Sequence, residues 1–304
     1  MSAAPVVVLA GGTGGAKLAR GMLDVVGPDE LVVIANTGDD IEIYGAYVSP
    51  DPDLVTFWLA DEIDERGWGL RGDTFHVMNG LRRLGAEVWF NLGDRDLAIG
   101  LERARALAQG TTLTQAHAAI SAGLGGRAQV LPMTDTPVRT RVLAGGRWWP
   151  FQEFMIRARA AGPVLGVDLR GAGIAAPTPQ VSEAVANARA IVIGPSNPIV
   201  SIGPMLALEG LRSAIADSPA AVVAVSPLVR GQVVKGPTAA FLRLAGQPLS
   251  SDGIAALYAG MIDGLVCDQR TAFVPSLVVD VLLDSEQARR RVAEQALRFA
   301  SALG

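Results

Sequence analysis

Four glycines stand between an apolar run and the first helical residues of this chain, where Val6 to Lys17 reads VVVLAGGTGGAK. Without Cβ atoms at Gly11, Gly12, Gly14 and Gly15 the backbone can turn tightly and approach an anion. A helix beginning near Ala16 would aim its unpaired N–H groups and positive dipole end at the same point, with Thr13 and Lys17 beside it. That is phosphate chemistry. Neither common fingerprint fits: G-x-G-x-x-G counted from Gly12 meets Lys17 in place of its last glycine, and G-x-x-x-x-G-K-[ST] counted from Gly11 meets Ala16 and Leu18.

Carboxylates follow. Asp39 and Asp40 in NTGDD (Asn36 to Asp40) and Asp51 and Asp53 in SPDPD (Ser49 to Asp53) supply hard oxygen ligands on neighbouring loops, which suits Mg²⁺ shared with substrate phosphates. The same residues are ordinary turn formers, and Pro50 and Pro52 stiffen that segment in either case. Arg95, between Asp94 and Asp96 in LGDRD, offers either a bidentate phosphate contact or a structural Asp–Arg pair. Ser196 and Asn197 in GPSNP stand to read a base or a phosphate, or to satisfy their own turn, and Ser226 ends a similar apolar run. His76 and His117 form no catalytic or metal pair on spacing, and His117 reads as a satisfied residue within a helix. Trp58, Trp68, Trp148 and Trp149 read as packing residues, with Trp68 set between glycines where a flat ligand could reach it.

Positioning these groups requires an alternation of strands and helices. Short apolar runs at Val6 to Ala10, Leu31 to Asn36, Val88 to Leu92, Ala190 to Gly194, Ala221 to Ser226 and Gly264 to Cys267 have the character of strands buried on both faces. The expected architecture is α/β, a Rossmann-like parallel sheet with helices on both faces, in a single domain over residues 1–304. An inserted lobe is expected at about 97–160. It would hold two helical stretches between Leu97 and Gly123, the second opened by Thr112 with Gln115 at capping-box spacing, and a β-hairpin within Val138 to Ile156 turning at Gly145-Gly146. Asp284 with Gln287 marks the start of a last helix. The polar loops all follow strands, so they gather at the carboxyl edge of the sheet, where open parallel sheets bind ligands.

Composition narrows the classes. The chain has 304 residues, 50% of them hydrophobic, and a net charge of -4, and its only lysines are Lys17 and Lys235, which argues against a nucleic-acid partner. Cys267 is alone, so no disulfide framework exists and a reducing compartment is expected. No basic leader with an apolar core and no run of membrane-spanning length is visible, so a soluble cytoplasmic protein with no membrane partner is expected.

GGTGGAK, NTGDD, SPDPD, RGWGLRGDTF, LGDRD, LPMTD, GPSNPIVSIGP and VAVSPL occur in this order between residues 11 and 228. Together they resemble the 2-phospho-L-lactate transferase family of deazaflavin coenzyme biosynthesis, which includes phosphoenolpyruvate transferases. The chain departs from the family at Pro52, where an aliphatic residue is common. The resemblance implies transfer of a phospho-lactyl, phosphoenolpyruvyl or phosphoglyceryl group from a guanosine diphosphate-linked donor to the ribityl hydroxyl of 7,8-didemethyl-8-hydroxy-5-deazariboflavin, releasing GMP. It further implies Mg²⁺ and a homodimer. Under it Asp39 and Asp53 are expected to be catalytic and, with Asp51, to hold the Mg²⁺. Gly12, Thr13, Gly14, Gly15, Lys17, Asn36, Asp40, Asp94, Arg95, Ser196, Asn197 and Ser226 are expected to bind donor or acceptor. A competing reading comes from gluconeogenesis factors, which resemble the family at the first glycine loop and bind nucleotide sugars without turnover. The acidic SPDPD and LGDRD loops favour the transferase. An NAD-dependent oxidoreductase is disfavoured by Lys17.

Overall fold

Seven short apolar runs assemble into one parallel sheet in the computed structural model, which describes residues 4–304. In chain order they are β1 (Val6–Ala10), β2 (Leu31–Ala35), β3 (Gln129–Pro132), β4 (Ala190–Ile193), β5 (Ala221–Val225), β6 (Gly264–Cys267) and β7 (Ser276–Val278). In space they run β3-β2-β1-β4-β5-β6-β7, each neighbouring pair parallel. The order reverses between β1 and β4, and at such a switch point the crossovers depart to opposite faces and leave a crevice at the carboxyl ends. The helices that matter below are α1 (Gly12–Val26), α2 (Pro50–Leu59), α3 (His76–Arg83), α4 (Asp94–Ala108), α5 (Leu113–Gly123) and α6 (Glu286–Leu303).

The strands are uniformly apolar because both faces are covered. Side chains alternate in direction, so Val6, Val8 and Ala10 of β1 pack with α1 and α6, while Val7 and Leu9 enter the opposite layer with Val181, Leu211 and Ile254.

Two excursions leave this scaffold. The crossover from β2 to β3 carries a short hairpin (Ile41–Ile43 with Ala46–Val48) and helices α2 to α5, and the crossover from β3 to β4 carries a three-stranded antiparallel sheet. The span expected as one lobe at about 97–160 is thus divided by β3, which returns to the main sheet between its helices and its hairpin. The hairpin turns at Gly145 and Gly146 with φ of 59° and 77°, as a two-residue turn requires. Thr112 and Gln115 form the expected capping box of α5.

Three expectations are corrected. The run at Val88 to Leu92 forms no strand, because Val88, Phe90 and Leu92 pack into a small cluster with Ile41, Tyr44 and Met78. The sheet position beside β2 goes to β3 instead. The last helix is capped by Ser285, whose hydroxyl accepts from the Ala288 N–H at 3.2 Å, and not by Asp284. Helix α1 begins at Gly12, so the glycines form its first turn instead of a separate loop before Ala16.

Candidate functional site

The glycines of the first turn have a packing reason. A Cβ on Gly14 would lie 2.1 Å from the Pro195 carbonyl oxygen, and one on Gly15 would lie 2.8 Å from Ser196 Oγ and from Ala10 Cα. The Gly11 N–H donates to Ser196 Oγ at 3.3 Å. The loop after β4 therefore lies against the start of α1 at the switch point. Gly14→Ala forces a methyl group into a carbonyl held on both sides, and a loss of several kcal/mol is expected from overpacking of about 1–3 kcal/mol plus a displaced backbone contact. Gly80→Ala, inside α3 where a Cβ would meet nothing within 4 Å, should instead stabilise by about 0.5–1 kcal/mol. Denaturant unfolding of both variants checks the pair, and equal effects would overturn the packing explanation.

The N-terminus of α1 is answered within the chain. The Gly12 N–H donates to Asp51 Oδ1 at 2.7 Å, and Asn36 Nδ2 donates to Asp51 Oδ2 at 2.9 Å. Asn36 is itself held by the Gly38 N–H, which donates to its Oδ1 at 2.8 Å. Asp39, on the same loop, is buried and its Oδ1 has no hydrogen-bond partner. Burial first, and the Asp51 charge second, hold the Asp39 carboxyl well above the ordinary carboxylate range. Asp51 is pushed up to about 6 by burial, against the opposing bonds from Asn36 and Gly12. Asp40 accepts from Ser49 Oγ at 2.8 Å and from the Tyr47 hydroxyl at 3.0 Å, and burial raises it to about 7.

These raised values set a pH dependence. A carboxyl that binds its proton more tightly when folded contributes stability that is complete below its unfolded pKa of 3.8 and lost as pH rises to about 7, in the case of Asp40. Asp40→Asn should match the parent near pH 4 and become the more stable of the two by pH 7.5, by roughly 2–4 kcal/mol from about 1.4 kcal/mol per pKa unit. Melting curves of both proteins across that window without divalent cations test it. Parallel curves would show that Asp40 does not titrate there.

Asp53 lies in the first turn of α2 and faces a cation. Its two oxygens take a bidentate pair from Arg103 of α4, whose Nη1 is 3.1 Å from Oδ2 and also donates to the Tyr47 carbonyl at 3.0 Å. Arg103 is 0% exposed. His117 of α5 lies behind them, with Nδ1 3.9 Å from Asp53 Oδ1 and Nε2 3.1 Å from Thr56 Oγ1. Burial, then the Arg103 charge, lowers its pKa to about 3, so the imidazole is neutral. The sequence reading missed Arg103, although Asp96, Ile99, Gly100 and Arg103 share one helical face and an arginine in such a stripe signals a buried ion pair.

Other expected site residues meet protein partners. Asp94 accepts from Thr74 Oγ1 and from the His76 and Val77 N–H groups, which caps α3. Arg95 donates to Glu62 and to the Arg71 carbonyl at the surface. Asn197 Oδ1 accepts from the Ile199 and Val200 N–H groups, its Nδ2 donates to Thr238 Oγ1, and Ser226 Oγ accepts from the Leu228 N–H. Thr13 and Lys17 open outward from α1 into a separate cavity.

A divalent cation fits this chemistry at one place. Among the described residues no three His, Cys, Asp or Glu side chains converge to hold an ion by themselves. Mg²⁺, however, commonly uses one or two carboxylates and completes its shell with water and substrate phosphate. Asp39 and Asp51 suit that role, since Asp39 offers an orphaned buried oxygen beside a second carboxylate that raises its pKa. Asp53 suits it poorly because Arg103 already neutralises both its oxygens.

The model of the 2-phospho-L-lactate transferase CofD family matches residues 6–296, which is nearly the whole fold described above. The chain belongs to this family. The chain is 38% identical to a 2-phospho-L-lactate transferase of Methanosarcina mazei, over 87% of each chain. It is 39% identical to a phosphoenolpyruvate transferase of Kitasatospora aureofaciens, over 95% of this chain and 97% of that one. A third relative, the 2-phospho-L-lactate transferase of Methanocaldococcus jannaschii, is 35% identical over 98% and 99%. Among solved structures, a UPF0052 family protein of Bacillus halodurans superposes with a TM-score of 0.65 at 18% identity, covering 98% of this chain and 99% of that one. That likeness extends to the fold. The Asp39–Asp51 cluster lies at the carboxyl ends of β1 and β2, where open parallel sheets bind ligands. No helix among the described residues is long and apolar enough to cross a membrane.

Proposed function

We propose that this protein moves a phospho-lactyl, phosphoenolpyruvyl or phosphoglyceryl group from a guanosine diphosphate-linked donor to the ribityl hydroxyl of 7,8-didemethyl-8-hydroxy-5-deazariboflavin and releases GMP. The observation that carries this reading is the unpartnered Asp39 oxygen beside Asp51, in a chain whose family is named for 2-phospho-L-lactate transfer. Phosphoryl-type transfer relies on positioning and charge neutralisation more than on a covalent nucleophile, which suits a cluster of buried carboxylates.

In this reading the hydroxyl oxygen bonds to the phosphorus that carries the transferred acid, the bond from that phosphorus to the GMP oxygen breaks, and the hydroxyl proton passes to a buried carboxylate. A carboxyl with a raised pKa that holds no metal suits that last task, and Asp40 has one. Mg²⁺ held by Asp39 and Asp51 would neutralise the donor diphosphate. Asn36 keeps Asp51 turned toward the Gly12 amide. Arg103 and Asp53 fix α2 against α4 beneath the cluster, acting as positioning residues. A homodimer belongs to the same proposal and is read by light scattering during gel filtration.

The test is direct. Purified protein is incubated with the deazaflavin, Mg²⁺ and each guanosine donor in turn, GMP is quantified, and the deazaflavin product is weighed by mass spectrometry. The product mass identifies the transferred acid. No GMP with any of the donors would overturn the transferase reading and favour a nucleotide-binding regulator.

A further inference from the structure

Helix α5 is aimed by its first turn. The Thr112–Gln115 capping box closes that turn, and Asp135, the last residue of the LPMTD segment, accepts from the Thr114 N–H at 2.7 Å and from the Thr114 hydroxyl at 2.8 Å. Phe57 of α2, Ile99 of α4 and Ile120 of α5 pack into one cluster, so the three helices meet there. His117 is 0% exposed and turns toward α2. Asp53 and Thr56 stand three residues apart on one face of α2, and His117 meets both: Nε2 lies 3.1 Å from Thr56 Oγ1 and Nδ1 lies 3.9 Å from Asp53 Oδ1. Nδ1 has no hydrogen-bond partner.

A neutral imidazole carries its proton on one nitrogen, and its neighbours choose which. With the proton on Nε2, the bare Nδ1 lone pair would stand near a carboxylate oxygen, two electron-rich atoms with no donor between them, and the Thr56 hydroxyl would need another acceptor. With the proton on Nδ1, the positive end of the N–H dipole stands nearest the Asp53 charge, and Nε2 accepts from the Thr56 hydroxyl. A separation of 3.9 Å exceeds a hydrogen bond, so Asp53 attracts the ring as a charge attracts a dipole, more strongly in a buried site than in water. A threonine hydroxyl within a helix commonly donates to the carbonyl four residues back, and Thr56 is paired with His117 instead.

We propose that His117 is a positioning residue for the carboxylate cluster: a neutral Nδ1–H imidazole that braces Asp53 and Thr56 and so fixes the first turn of α2, from which Asp51 accepts the Gly12 N–H. Arg103 grips Asp53 from α4 and His117 braces the same helix from α5, so rolling α2 breaks one contact or the other. Asp51 lies two residues before Asp53, and a roll of α2 would carry its Oδ1 off the Gly12 amide, now 2.7 Å away. The consequence for transfer rests on the reading of Asp51 as a Mg²⁺ carboxylate, whereas the tautomer and the brace belong to the folded chain itself.

The chain has two histidines, so the tautomer can be read directly. In a proton–nitrogen correlation spectrum of the full chain with isotope-labelled histidine, His76→Gln removes the signals of the exposed His76 and leaves those of His117. A protonated Nδ1 and a bare Nε2 are expected at pH 7.5; a proton on Nε2, or on both nitrogens, would overturn the proposal. Hydrogen exchange reads the positioning. His117→Leu should speed exchange of the Gly12 amide about tenfold or more relative to the Val192 amide within the sheet, because release of Asp51 opens that bond without unfolding the strands. Thr56→Val, nearly isosteric, cuts the brace from the other side and should act in the same direction. Equal acceleration at Gly12 and Val192 would reduce His117 to a contributor of overall stability, and parental exchange at Gly12 would remove it from the brace; either result overturns the positioning role. GMP release by the parent tests the transferase reading separately, since neither the spectrum nor the exchange depends on turnover.

Discussion

Asp39→Asn should make the metal-free protein more stable and nearly inactive. The two effects share one cause. In the folded chain Asp39 is buried, its Oδ1 is unpartnered, and the Asp51 charge lies close enough to raise its pKa. A neutral amide of the same shape removes that repulsion and the desolvation of a charge, so the melting temperature should rise at pH 7.5 without divalent cations. The same change deletes a charged oxygen where donor phosphates require neutralisation, and kcat/KM should fall about 10²- to 10³-fold, equivalent to roughly 3–4 kcal/mol. Mg²⁺ supplies the second reading. At about 100 times its Kd it should stabilise the parent by about 2.7 kcal/mol and leave Asp39→Asn unmoved. Melting curves with and without Mg²⁺, alongside GMP release, decide the matter; a variant that is active and still stabilised by Mg²⁺ would remove Asp39 from the centre.

Arg103→Met should be the most destabilising single change at the cluster. It leaves the Asp53 carboxylate buried, without its bidentate partner, near other acids whose charges Arg103 offsets, Asp40 and Asp96 among them. In the parent His117 adds no charge beside Asp53, because burial and then the Arg103 charge lower its pKa to about 3. Breaking one half of a buried pair costs about 3–5 kcal/mol, which is a large fraction of a typical folding free energy. Asp53→Asn/Arg103→Met should recover much of that loss, since no unpaired charge remains. Urea unfolding of both single variants and the double variant closes the cycle. Additive losses would mean that the pair contributes packing alone.

Substantial parts of this protein are determined locally. The strands at 6–10, 31–35, 190–193, 221–225 and 264–267 are legible because short runs of Val, Ile and Ala with no polar alternation have few stable places outside a doubly covered parallel sheet. The hairpin at Gly145-Gly146 and the capping box at Thr112 are legible because backbone geometry and side-chain reach over three residues specify them. The family was legible for a different reason: whole loops such as GPSNPIVSIGP recur as words, whatever each residue does in them.

Partner choice was decided by tertiary structure. Short range does not reveal that Val88 to Leu92 finds an apolar cluster before it finds the sheet, while the unremarkable QVLP of β3 takes the vacant edge beside β2. Nor does it reveal which acid meets a cation. Asp51 and Asp53 are equivalent in SPDPD, yet they lie about 200° apart around α2, at about 100° per residue, so one turns toward the Gly12 amide and the other toward Arg103, 50 residues away. The glycines at 14 and 15 are the clearest case. In the chain they read as room left for a phosphate, and in the fold that room is occupied by the Pro195 carbonyl and the Ser196 hydroxyl. A missing Cβ states that something comes close; only the packing of distant segments decides whether it is a ligand or the protein itself.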